Sequence, residues 1–123
     1  MNRGISMIVF KTFLTSIIIF SHLNTLKAQT PSDSLKLIWT DVNKSDSIRF
    51  KSISEFYYIK TYAQPDSIIL LTKYHYNLAQ QKNNTKQMAN ALNERSYAYY
   101  VKGDLNKSSE ILKQSIELFK LIN

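Results

Sequence analysis

From residue 91 to residue 123, apolar and small residues recur in steps of three and four. Leu105, Ser108, Leu112, Ser115, Phe119 and Ile122 fall on one helical face at that spacing. The stretch 91–102 ahead of them holds no Pro or Gly. The two stretches meet at Gly103-Asp104. Gly103 suits the left-handed residue that closes a helix, and Asp104 suits the cap that accepts an orphan N–H at the next start. The pattern predicts two amphipathic helices hinged there. Such a pair cannot bury its apolar faces alone, so it must stack on other helices.

Upstream, the same period supplies them. Thr30-Pro31-Ser32-Asp33 carries helix-starting chemistry and predicts a short helix over 34–42, with Leu35, Ile38, Trp39 and Val42 on one side. Asn43-Lys44-Ser45-Asp46 breaks it and offers a second N-cap. Ile48, Ile53, Phe56, Ile59 and Ala63 mark the apolar face of a helix over 47–62. Pro65 ends that helix, because the residue before Pro is pushed out of the α region. It then opens the next, where its missing N–H costs little. That helix runs to about Gln81, and Lys82-Asn83-Asn84-Thr85 is a polar joint. From Lys86 the pattern rises through Met88, Ala91 and Leu92 into the closing pair. The expected fold is all-α: five helices after residue 28, no strand, arranged as an antiparallel helix-hairpin array.

The N-terminus reads as an address. Met1-Asn2-Arg3 is a short positive start, residues 12–20 are a compact apolar core, and Leu26-Lys27-Ala28 ends in a small residue before Gln29. This order predicts a secretory signal peptide over 1–28 and an exported mature chain, periplasmic or in the cell envelope. The rival reading is an uncleaved anchor over 5–26. Lys11 and His22 interrupt that stretch, and its clean apolar run falls short of the ~18 residues of a membrane span. A buried core helix is the third reading. Beyond the leader, 29–45 is a leader with a short capping helix, and 46–123 is the main helical domain.

Composition narrows the function. A chain of 123 residues has room for one small domain. With no cysteine there is no disulfide framework, thiolate metal site or Cys nucleophile. The net charge of +7 falls to +4 once Arg3, Lys11 and Lys27 are set aside with the leader. The remaining lysines are interleaved with acids, as on a solvated surface, which argues against a nucleic-acid partner. His75 is the one histidine after the leader and has no Cys or second His to share a metal, so it reads as a structural side chain. Asp66 and Asp104 are explained as helix-start residues, and Glu94, Glu110 and Glu117 as helix surface. No phosphate loop or nucleophile elbow occurs. No catalytic residue, metal or cofactor is expected.

The order aromatic–small–aromatic, then Gly103-Asp104, then small residues at four- and seven-residue offsets resembles a tetratricopeptide repeat. Under that resemblance Leu92 takes the bulky first position, Ser96 the small one and Tyr99 the aromatic core position. Ser108 and Ser115 take the two alanine sites. Ser replaces the usual Gly or Ala three times, Arg95 replaces a usual Leu, and the closing Pro is absent. A divergent earlier copy covers about 46–83, with Ile68, Thr72 and His75 where small residues are usual. The clearer copy covers about 86–123. The leader and the two joints are similar to exported tetratricopeptide proteins of Bacteroidota-type bacteria. In that group such repeats form sensor regions ahead of a membrane helix and a cytoplasmic histidine kinase or DNA-binding output.

The resemblance implies a noncatalytic interaction or sensor module whose first helices line a concave groove for a peptide or partner helix. Asn90, Asn93, Tyr97, Tyr100 and Val101 fall at the groove-facing positions. The alternative is a membrane-anchored structural envelope protein that keeps residues 5–26. The helix that begins at Asp104 and runs to Asn123 carries Ile116, Leu118 and Ile122 too far around its axis for one covered face. An exposed apolar strip is expected there, covered by a further repeat or by self-association.

Overall fold

The computed structural model describes residues 30–122, and the expected leader over 1–28 lies outside them. Five helices follow one another: α1 (Pro31–Thr40), α2 (Asp46–Lys60), α3 (Pro65–Gln81), α4 (Thr85–Val101) and α5 (Leu105–Lys120). There is no strand among the described residues. Helix α1 packs on α2, and α4 packs on both α3 and α5, while α2 and α3 touch more lightly. The core runs through α1 to α4 and is built on Trp39, Phe50, Ile53, Tyr57, Ile68, Ile69, Leu78, Ala79 and Ala98. Fully buried side chains such as Ile53 and Ile68 each contribute about 1.5–3 kcal/mol through removal from water.

The joints around α4 share one design. At the end of α4, Gly103 adopts φ +83°, its N–H donates to the Tyr100 carbonyl, and the Asp104 N–H donates to the Tyr99 carbonyl. At the end of α3, Asn83 adopts φ +50°, with the corresponding bonds from Asn83 to Gln80 and from Asn84 to Ala79. Both are Schellman closures, which satisfy the orphan carbonyls of the last turn. In each, the residue after the left-handed one immediately caps the next helix. Asn84 accepts from the Gln87 N–H at 3.1 Å, and Asp104 from the Lys107 N–H at 3.0 Å. The polar run 82–85 is therefore a built turn, with Asn standing where its counterpart has Gly. Asn tolerates the left-handed region because of its short polar side chain.

Boundaries and buried faces differ from expectation in several places. Helix α1 starts at Pro31 and ends at Thr40, so Val42 lies beyond it and is exposed. The Asp41 carboxylate turns back to accept from the Asn43 N–H at 2.9 Å, which competes with continuing the helix. In α2 the expected Ile48 and Ile59 are exposed, as is Ala63 just beyond the helix, and Arg49, Phe50 and Tyr57 are buried instead. The Arg49 Nε donates to the Trp39 carbonyl at 2.9 Å, and its Nη2 donates to the Tyr74 hydroxyl at 3.1 Å. A cation at the C-terminal end of α1 meets the negative end of that helix dipole, so this arc of α2 turns inward. In α5, Ser108 and Ser115 are buried as expected, but the third buried residue is Ile111, while Leu105 and Leu112, and Ile122 beyond the helix, are exposed. The buried aromatics are Trp39, Phe50 and Tyr57, and Tyr99 is only half-buried against the core. The expected strip is exposed at Ile116 on α5 and at Ile122, which lies beyond the helix end at Lys120, but half-buried at Leu118.

The departures from the repeat pattern have partners. Ser96 donates to the Ser108 carbonyl at 2.9 Å, which leaves the Ser108 hydroxyl to donate across the 3.1 Å contact back to the Ser96 oxygen. The Ser115 hydroxyl donates to the Ala89 carbonyl at 2.8 Å. These three buried serines join α4 to α5, and hydrogen bonding removes the cost of burying them. Arg95 donates from Nε to the Thr72 Oγ1 at 3.0 Å, so the residue replacing a usual Leu meets one replacing a small residue.

Candidate functional site

A surface groove of about 760 Å³ opens between α2, α4 and α5. Its tyrosine wall comes from two places. Tyr57 and Tyr58 sit on α2 with Tyr62 in the turn after it, and Tyr97 and Tyr100 sit on α4. Tyr57 is the buried floor, whereas Tyr58 is 92 % exposed and Tyr62 74 % exposed. Small residues make the hollow possible, since Ser54, Ser96 and Ser108 line it where larger side chains would fill it. Adjacent helix faces can then lie close without closing the space between the aromatic rings.

The tyrosines hold one another. Tyr62 and Tyr97 are joined hydroxyl to hydroxyl, and their rings meet edge to face with centroids 5.8 Å apart. Tyr97 stacks on Tyr100 with centroids 6.1 Å apart. Edge-to-face and stacked pairs use the ring quadrupole and lose little entropy on binding because few torsions remain free. The hydrogen bond to Tyr62 also pushes the Tyr97 phenol above its ordinary range. Tyr97 therefore stays neutral near pH 7, and both tyrosines present hydroxyls and ring faces.

Glu94 is the single charged residue in the groove lining. It is half-buried, and burial pushes its carboxyl up from the ordinary carboxylate range. Among the described residues it makes no hydrogen bond and no ion pair. Its neighbour Arg95 is committed to Thr72 and does not line the groove. Beneath the floor, burial raises the Tyr57 phenol well above its usual value, with the Glu94 charge adding to that. Its hydroxyl contacts the His75 Nδ1 at 3.1 Å, so the floor is tied to the core.

Of the residues expected to face a groove, Asn93, Tyr97 and Tyr100 line this one. Asn90 and Val101 do not; both are half-buried elsewhere on α4. The Asn90 amide donates weakly toward the Gln87 Oε1 at 3.5 Å, on the side that supports His75. Sequence reasoning assigned no groove role to Glu94, Tyr62 or Leu112. Tyr62 and Tyr97 are 35 positions apart, and only the packing of α4 beside the end of α2 brings them together. The chemistry on offer is recognition: ring faces, phenol hydroxyls, one amide and one carboxylate. Among the described residues no group of three or more His, Cys, Asp or Glu is placed to hold a metal ion. Comparison with family models, with curated proteins and with solved structures returned no match.

Proposed function

We propose that this chain is a noncatalytic interaction or sensor module of a bacterial cell envelope. It binds a peptide or partner helix through the groove between α2, α4 and α5, in the manner of a tetratricopeptide repeat. The observation that carries this reading is the tyrosine wall itself. Tyr58, Tyr62, Tyr97 and Tyr100 surround an open hollow of about 760 Å³, within the range of small-ligand and peptide sites. Tyrosine is enriched at such interfaces because it couples apolar area with a polar tip. Asn93 adds an amide that can pair with an extended backbone. Export rests on the signal-like order of residues 1–28, and the sensor role rests on the repeat resemblance.

Selection from a displayed random-peptide library, using the full chain as bait, tests the groove. Enriched peptides are expected to lose about tenfold or more in affinity against Tyr97→Ala and Tyr58→Ala, as groove aromatics carry most of such binding. Peptides indifferent to both substitutions would remove the groove reading. Mass measurement of the chain recovered from an expressing bacterium tests export, with a start at Gln29 expected.

A further inference from the structure

Resting on that reading of the groove, we infer that its occupant is a basic peptide, whose arginine or lysine side chain enters between the tyrosines and pairs with Glu94. Three observations converge on this assignment. The groove is walled by the ring-bearing side chains Tyr58, Tyr62, Tyr97 and Tyr100. Its one charge is the Glu94 carboxylate, and no Lys, Arg or His lines it. That carboxylate is half-buried yet has no hydrogen-bond or ion-pair partner among the described residues.

Partial burial disfavours the charged form of this carboxyl although its oxygens still reach solvent, and a cation entering the groove offsets that effect. Burial pushes the Glu94 carboxyl upward in the same sense. Aromatic faces attract the same cation through their quadrupole, and guanidinium both stacks on rings and pairs with a carboxylate through two N–H groups. An acidic or neutral peptide would gain the rings but leave Glu94 uncompensated. Two cations on α4 and at its C-terminal cap have their own contacts: Arg95 with Thr72, and Lys102 with Asp66 on the exposed surface. Neither lines the groove, and neither forms an ion pair with Glu94. Asn93, one residue before Glu94 on α4, also lines the groove and offers an amide to a peptide backbone.

The test uses the full chain and four acetylated, amidated tripeptides with Arg, Lys, citrulline or Glu between two alanines, together with choline chloride. Binding is read by calorimetry and by tyrosine fluorescence. The arginine peptide is expected to bind most tightly, the lysine peptide next, and the citrulline and glutamate peptides at least about tenfold more weakly, as for loss of a charge-assisted pair. Glu94→Gln, which keeps size and shape, is expected to abolish that preference while leaving the thermal transition in place. Added salt should weaken binding of the arginine peptide to the wild type and leave the variant little changed. Equal binding of arginine and citrulline peptides, with loss on Tyr97→Ala, would overturn the charge assignment and leave the groove reading standing. Binding by none of the peptides would overturn the basic-peptide assignment, while the groove reading stands or falls on the library selection. Choline binding as tightly as the arginine peptide would overturn the peptide as occupant.

Discussion

The Tyr57 hydroxyl lies 3.1 Å from Nδ1 of His75, and the opposite ring nitrogen, Nε2, lies 3.0 Å from the Gln87 Oε1. An amide oxygen only accepts, so Nε2 carries the proton, Nδ1 keeps its lone pair, and the Tyr57 hydroxyl donates to it. His75 is fully buried, with the Phe50 ring 5.3 Å from it between centroids. A neutral imidazole thus links α2, α3 and α4 in one chain of hydrogen bonds.

That link makes the fold sensitive to acid. Burial lowers His75 from 6.5 to about 4, against a smaller upward effect of the Gln87 bond. In the window between those values the unfolded chain holds a proton that the folded chain does not. Stability is therefore intact above pH 6.5, declines as pH falls through the window, and levels off below it. The loss should reach about 3 kcal/mol at most, from the size of the shift. Melting of wild type and His75→Gln between pH 7 and pH 4.5 checks this, and the variant should show the flatter profile. Glu94, whose carboxyl is raised in the fold, acts in the opposite sense over the carboxylate range. The difference between the two proteins, not the wild-type curve alone, isolates His75.

The two Schellman joints yield opposite outcomes under exchange. Gly103 has φ +83° and open space where a Cβ would stand, so Gly103→Ala meets no clash and is strained by backbone conformation alone. It should cost about 1–2 kcal/mol. Asn83, at φ +50°, occupies the equivalent place, and Asn83→Gly should stabilise by a few tenths of a kcal/mol to about 1. Urea unfolding of the two variants measures both signs in one experiment.

Removing a buried serine hydroxyl from the α4–α5 contact should be felt at its partner. Ser115→Ala leaves the Ala89 carbonyl without that donor and should destabilise by about 1 kcal/mol. Ser96→Ala strips both the Ser108 carbonyl and the Ser108 hydroxyl of a partner and should cost more. If the double variant is merely the sum of the two, the sites act independently. Denaturant midpoints at matched slopes decide this.

Helix α5 and the residues just after it leave Leu105, Ile116, Leu121 and Ile122 open to solvent. The proposal that this strip mediates self-association is tested by light scattering across a concentration series. A concentration-dependent rise in mass is expected for the wild type, and a monomer for Ile116→Lys. A monomer for both proteins, at every concentration, would set the proposal aside.

Helix count, order and joints were legible in the chain because their causes are local. A missing N–H at Pro65, a side-chain acceptor at Asp104 and a left-handed position at Gly103 act within a few residues of where they stand. Asn83 carried the same instruction in less distinctive chemistry, and its turn reads on first sight as an ordinary polar loop.

Which arc of each helix turned inward was not local. Periodicity states that a helix has faces, but neighbours decide which of them loses water, and α4 lies against both α3 and α5. Its buried residues Ala89, Ala91, Leu92, Ser96 and Ala98 accordingly spread around the helix and form no single stripe. In α2, Arg49 and Tyr57 displaced the apolar Ile48 and Ile59 because their partners come from elsewhere: the Trp39 carbonyl of α1, and Tyr74 and His75 of α3. A polar side chain is buried only where another element supplies its bond, and no residue carries that information alone. The groove belongs to the same class of facts. Asn93, Tyr97 and Tyr100 could be placed from one helix, but the Tyr62 contact and the unpartnered Glu94 arise only when α2, α4 and α5 come together.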